Sequence, residues 1–341
     1  MYSSLAGNGY LAGALATVFL VINQLLLKWF FAELDYNVWL FISIQYVFGG
    51  AALLTITGLK ITSRDTFKCP HTWFMGALRT VDSIFYGSAL VYISATEASI
   101  LMGFGKILVF LGSRFVFGYI IGKWRIPGLL LTLLPPVMIG LQQQEGLLNP
   151  GVIFVVLTCL VMTVEVLLVE KHPTLHRLSL HDRYQSTGIN MIVSGLFFIL
   201  LLFCTVFAGQ HLLAADHGTG LLIQQNMPTI HQLMSPEMWL WGALTGIFVR
   251  AGYFFYRYFS IVRIKSYNYT LIITSHTFLL YFAEMLLVNS GVLQEGSLPE
   301  NLFFYIMLLT LGAVLCLGEN WQTSFARKLL KVIKIPLKRT N

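Results

Sequence analysis

The chain has 341 residues, of which 56% are hydrophobic and 11% charged, with a formal net charge of +7. A soluble domain carries about 25% charged residues, so the composition excludes a water-soluble protein and reads as an all-α integral membrane protein. The positive charge then bears on membrane orientation rather than on nucleic acid.

The opening residues MYSSLAGNGY lack the basic flank and small-residue cleavage site of a signal peptide, so they read as the start of the first span. Apolar runs of about 20 residues, the length that crosses a bilayer, fall at 8–30, 37–58, 71–93, 96–120, 126–143, 148–170, 186–209, 237–260, 267–289 and 301–321. Most prolines stand at or beyond the ends of these runs, where a helix stops without losing a bond. Pro135 and Pro136 are the exceptions and predict a kink in the fifth helix. Five runs on each side of Gly146 predict two halves, 1–146 and 147–324, followed by a basic tail, 325–341. An odd number of spans per half places the halves in opposite orientation, the inverted repeat of many secondary transporters.

The connections after spans 2, 4, 6 and 8, together with the tail, hold seventeen of the twenty-two Lys and Arg residues, Arg257 counted among them. The connections after spans 1, 3, 5, 7 and 9 hold none. By the positive-inside rule both termini face the cytoplasm. The tail, RKLLKVIKIPLKR, reads as a basic segment held at the surface of anionic lipid.

Five basic residues remain within the spans: Lys28, Arg79, Lys106, Arg114 and Arg250. Lys28 and Arg114 lie near span ends and read as structural. Arg79 has Asp82 three residues on, the spacing of a pair on one helical face. Lys106 lies about 12 Å along its helix from Ala98, too deep for its stem to carry the ammonium to the surface. A lipid-facing lysine at mid-depth costs about 2.5–3.5 kcal/mol, so Lys106 faces protein or water. Two readings stand: a helix-packing face with the lysine on backbone carbonyls, or a cation aimed into a substrate path. Span 8 places Arg250 and Arg257 seven apart, with Tyr253 and Phe254 between them, a pattern suited to a ligand with phosphate and a flat ring. An aromatic belt ending in an interfacial arginine explains Arg257 but not Arg250. Span 9 carries Tyr267, Thr270, Thr274 and Thr277 on one face, which also suits ordinary helix packing. Asn23, Gln24 and Gln45 add polar candidates from spans 1 and 2. Among the acids, Asp82 and Glu284 are candidates for coupling or charge pairing, while Glu165 reads as lying near a span end.

The four cysteines give neither a disulfide framework nor a zinc spacing, so no metal or cofactor is expected. No phosphate-binding Walker loop occurs, which argues against ATP-driven transport. No nucleophile–base constellation points to an enzyme. Asn268 opens a formal glycosylation triplet, but at the cytoplasmic end of a span.

Over essentially its whole length the chain resembles the drug/metabolite transporter superfamily, most closely its nucleotide-sugar and EamA-type branches. LRTVDSIFYGSALVYISATEASIL is similar to a recurring third-span pattern, with Arg79 at its arginine. The segment from Lys106 through GLQQQ resembles spans 4 to 5 of nucleotide-sugar transporters, where a lysine opens a similar KIL run. Arg250 and Arg257 resemble two span-8 lysines of the CMP-sialic acid branch, and VEVLLVEKHPTLHRLSLHDRYQS resembles the exit from span 6. The GALNK run of GDP-mannose transporters and the span-9 Lys-Arg pair of the triose-phosphate branch are absent.

The resemblance implies a central cavity lined by spans 1–4 and 6–9, with spans 5 and 10 peripheral. It implies exchange of a phosphorylated metabolite, with Lys106 and Arg250 on phosphate, Tyr253 and Phe254 on a ring, and Arg79, Thr270, Thr274 and Gln45 completing the site. The partners expected are that small molecule and the bilayer, with a homodimer left open and no nucleic acid. The membrane expected is Golgi or endoplasmic reticulum in a eukaryote, or the inner membrane in a bacterium. The rival within transport is an exporter of amino acids or organic cations served by Asp82 and Glu284. A membrane enzyme or receptor is the rival from another class.

Overall fold

The computed structural model describes residues 9–58, 64–118, 125–172, 179–212, 227–264, 269, 272–293 and 301–316. All regular structure among them is helical. The helices are α1 (Gly9–Ala32), α2 (Val38–Thr57), a short α3 (Arg64–Lys68), α4 (Pro70–Tyr92), α5 (Ala95–Leu101), α6 (Gly103–Phe117), α7 (Arg125–Gln142), α8 (Pro150–Lys171), α9 (Leu180–Leu212), α10 (Ile230–Leu233), α11 (Pro236–Thr245), α12 (Ala251–Ile264) and α13 (His276–Asn289). A last helix, α14, covers Leu302–Cys316. Five stretches are long and apolar enough to cross a membrane: α1, α2, α5 joined to α6, most of α8, and Leu180–Phe207 of α9. This is the make-up of a multi-pass membrane protein.

Local sequence explains where the helices begin. Pro70, Pro150 and Pro236 each occupy the first turn, where the missing N–H costs nothing. Asn37 accepts from the Leu40 amide at 3.0 Å, and Ser94 and Glu97 form a reciprocal capping box at the start of α5. The helix α7 runs unbroken through Pro135 and Pro136.

Position in the bundle follows from polarity. Seven consecutive residues of α2, Leu40–Tyr46, are buried, so this helix lies at the centre, apolar all round. It packs along α9, where Gly50 and Gly188 remove the side chains that would hold the backbones apart. The helices α7 and α14 touch each other through Gly128 and Gly312 and present Leu130, Leu141, Phe304 and Val314 outward. Of the remaining pairs, α1 lies on α12 and α13, and α8 lies on α4 and α6.

Two helices are not continuous. The predicted fourth apolar run divides at Met102 into α5 and α6. In the ninth, Ile272 and Ile273 are helical, Thr274 and Ser275 form a turn, and the helix resumes at His276. Neither break was expected. The basic tail, Asn268 and most of the connection 210–236 lie outside the described residues.

Candidate functional site

A cavity of about 120 Å³ opens between α1, α4, Met102 and α6, α8, Arg250 and α12, and the residues Tyr269, Ile273 and His276. It has room for several water molecules. Its polar lining is Asn23 and Gln24 from α1, Asp82, Ser83 and Tyr86 from α4, Lys106 from α6, and Thr158 from α8. Arg250, Tyr253, Arg257, Tyr269 and His276 complete it, with the Phe254 ring among them. The helices α2 and α9, expected at the cavity, contribute no lining residue. They are occupied with each other.

Arg250 owes its place to a local departure from α-helix. Residues Gly246–Arg250 form a π turn between α11 and α12, the kind of extra residue that re-aims a side chain. Gly246 lies against α2 so closely that a Cβ there would stand 2.7 Å from the Gln45 carbonyl oxygen. That approach sets the Arg250 guanidinium 4.6 Å above the Tyr46 ring and 5.6 Å from the Phe254 ring. Cation–π contacts of this kind contribute about 0.5–2 kcal/mol each.

Behind the cavity lining, Glu165 organises a buried cluster of arginines. Arg79 Nε donates to its Oε1 at 3.0 Å, and Arg257 donates to its Oε2, also at 3.0 Å. The three residues come from α4, α8 and α12, and Glu165 is 0% exposed. This corrects two expectations. Arg79 pairs with Glu165, not with Asp82, whose Oδ1 has no hydrogen-bond partner. Arg257 is a buried cavity residue rather than an arginine of the connection, and it also donates to the Tyr253 hydroxyl at 3.3 Å. The cause is helix azimuth: α8 packs on the face of α4 that carries Arg79. A carboxylate facing two guanidiniums there gains more than one sharing a helical face with one.

The cavity lining thus holds three formal cations, Lys106, Arg250 and Arg257, against one carboxylate, Asp82. The Arg79–Glu165 pair stands behind it in contact with Arg257, which makes four cations and two carboxylates in and beside the cavity. Lys106 Nζ and Arg250 Nε and Nη2 are buried and make no hydrogen bond among the described residues. Buried charge without partners is costly. Lys106 is not spent on backbone carbonyls, which was the packing alternative for it.

Other candidates stand elsewhere. Gln45 is fully buried in the seam between α2 and α11, where its amide donates to the Thr245 hydroxyl at 2.9 Å. Glu284 accepts from the amides of Ala95 and Thr96 at 3.0 and 2.8 Å and from the Thr96 hydroxyl. It satisfies the first amides of α5, where the helix dipole favours an anion. Thr274 is buried in its turn, outside the lining, and Thr270 lies outside the described residues. Lys28 behaves as expected, donating to the carbonyls of Leu90 and Ile93 at 2.8 and 3.1 Å.

Sequence reasoning missed His276, Tyr46, Tyr258 and Tyr269 as companions of the site. His276 joins the two broken helices: its Nε2 meets the Ser99 hydroxyl at 2.8 Å, which meets the Thr277 hydroxyl at 2.7 Å. Tyr258 lies under the Arg79 guanidinium at 4.8 Å. Glu165 carried a signal, an acid inside the run LVMTVEVLL, that its distance from the span centre concealed.

No family model matches the chain, and no curated protein matches it. A crystal structure of another protein is similar to it, with a TM-score of 0.59 and 17% sequence identity, covering 90% of this chain and 96% of that one. The likeness shows a shared fold.

Proposed function

We propose that the chain is a ten-span secondary transporter that carries a small phosphate-bearing anion by alternating access, in exchange for a second anion. The observation that carries this reading is the pair of buried, unpartnered cationic groups, Lys106 and Arg250, facing one cavity among aromatic rings. Arg offers phosphate a bidentate fork, Lys a point charge, and Tyr253 and Phe254 offer a ring surface.

Two inverted five-helix repeats account for the packing. Matching α1 with α8, α4 with α12, and α5–α6 with the 269–289 segment, the contact of α1 on α12 corresponds to that of α8 on α4. Likewise α1 on α13 corresponds to α8 on α6. The pairs α2–α9 and α7–α14 correspond to themselves, and the two broken helices correspond to each other. Alternating access in such folds rocks the repeats about a central site. The charge distribution then places both termini in the cytoplasm. The membrane is that of the Golgi or endoplasmic reticulum in a eukaryotic host, or the inner membrane in a bacterial one.

One observation favours a second reading. Asp82 offers the cavity a carboxylate oxygen with no partner, so a zwitterion such as an amino acid could place its ammonium there and its carboxylate on Lys106 or Arg250. Glu284, occupied at the α5 terminus, plays no part in it. Uptake into proteoliposomes from a panel of phosphorylated, zwitterionic and cationic solutes, with and without internal solute, separates the two. The proposal expects uptake of phosphorylated anions that is accelerated by internal anion. Preference for zwitterions or cations overturns it.

A further inference from the structure

The structure assigns Glu165 a role of its own: we propose that it is the positioning residue that sets the charge of the site, so that the cavity takes a dianion. The inference rests on the anion-transport reading above and adds the charge of the cargo and the residue that determines it.

Both Glu165 oxygens are engaged, one by Arg79 and one by Arg257, each at 3.0 Å, with no exposure to solvent. Glu165 stands behind the cavity lining, so a ligand does not need to displace it to enter. The two guanidiniums remain partly open, because Arg79 Nη1 and Nη2 and Arg257 Nε have no hydrogen-bond partner among the described residues. Glu165 therefore holds both arginines by one edge and neutralises a single positive charge. Asp82 offsets a second. His276 is counted as neutral, in the tautomer whose Nδ1–H donates to the Ile273 carbonyl and whose Nε2 accepts from the Ser99 hydroxyl, an assignment that fits both contacts. Four cations less two carboxylates leave the charge of two, carried in place by Lys106 and Arg250. Phe254 keeps the set together, with the Arg79, Arg250 and Arg257 guanidiniums at 5.2, 5.6 and 5.9 Å from its ring.

The test uses the full-length protein in lipid nanodiscs at pH about 8, above the second phosphate pKa near 6. The probes are phenyl phosphate, its methyl diester and phenyl diphosphate, which are dianionic, monoanionic and trianionic, and the readout is thermal stabilisation against concentration. The wild type is expected to bind the dianion about tenfold more tightly than the monoanion, the effect of one added charge beside buried cations. Glu165→Gln, with one more free cation, is expected to move the optimum to the trianion. Glu165→Gln combined with Arg257→Gln restores two free charges and is expected to return the optimum to the dianion. Where Glu165→Gln does not fold, the wild type and the double variant carry the test, and a monoanion or trianion optimum in either overturns the inference. A folded Glu165→Gln that keeps the wild-type charge preference overturns it as well. If the wild type binds none of the three while solutes of another class stabilise it, the anion-transport reading itself fails.

Discussion

Arg79 gives its Nε to Glu165 at 3.0 Å across two helices, although Asp82 stands one turn away on the same helix as Arg79. The interhelical partner wins because a carboxylate held by two arginines is compensated more fully than one held by a single residue. The same choice leaves Asp82 available to the cavity and makes α8 the element on which α4 and α12 are charge-registered.

That arrangement predicts unequal costs. Arg79→Gln leaves Glu165 with one partner in a fully buried setting and is expected to lower stability by about 3–5 kcal/mol, the usual cost of breaking a buried ion pair from one side. Asp82→Asn removes a group without a hydrogen-bonded partner at Oδ1 and is expected to cost under about 1 kcal/mol. Thermal melts of the two variants in one detergent decide the matter, and equal losses would contradict the pairing.

Lys106 and Arg250 are expected to serve transport rather than folding. Lys106→Met keeps the bulk of the stem and removes the charge, so the variant should insert and melt like the wild type while losing transport by about tenfold or more. Arg250→Lys should retain part of the rate, since a point charge replaces a fork and the stacking on Tyr46 and Phe254 is lost. Transport at the wild-type rate per folded Lys106→Met molecule would remove the lysine from the site.

The π turn supplies a third expectation. At Gly246 a Cβ would meet the Gln45 carbonyl, and a backbone atom cannot swing aside. Gly246→Ala should therefore push α11 and α12 from α2 and cost about 1–3 kcal/mol. It should weaken substrate binding at the same time, because Arg250 is aimed by that contact. Gly58→Ala is not an equivalent control, since Gly58 has φ +78. Gly112, whose added Cβ would come close to nothing but the movable end of the Leu167 side chain at 2.8 Å, with Thr163 at an ordinary 3.6 Å, is the better one. Its Ala variant should bind normally.

Membrane orientation is checked by chemistry alone. Single cysteines in the connection 213–226 and in the tail beyond 325, on a cysteine-free background, should react with an impermeant maleimide from opposite sides. Labelling of both from one side would break the inverted-repeat proposal.

The all-helical, membrane-spanning character was legible because several apolar runs are long and open at a proline or a capping residue, as at Pro70, Pro150 and Asn37. Lys106 and Arg250 were legible for a different reason: charge inside an apolar run has to be explained. Glu165 was not, since pairing across helices depends on their rotation about their own axes, which spacing along one helix does not reveal. The same reason separates Gln45, lost to Thr245, from Gln24, which reaches the cavity. The break at Met102 is followed by Gly103 and Gly105, a glycine signal hidden inside a long apolar run. The one at Thr274–Ser275 has no glycine or proline signature, and the TSHTF run around His276 suits ordinary polar helix contact as well.

The four cations and two carboxylates in and beside the cavity also have an electrical meaning. A charge carried across a membrane voltage exchanges about 2.3 kcal/mol per 100 mV. An empty centre of charge two would therefore feel the resting potential each time it changed sides, for whatever share of the field it crosses. With a dianion aboard, the same centre is neutral and indifferent to voltage. Under the exchange proposed above, loaded turnover should leave no current, while the empty return should respond to whatever voltage stands across that membrane, which would favour exchange over one-way transport.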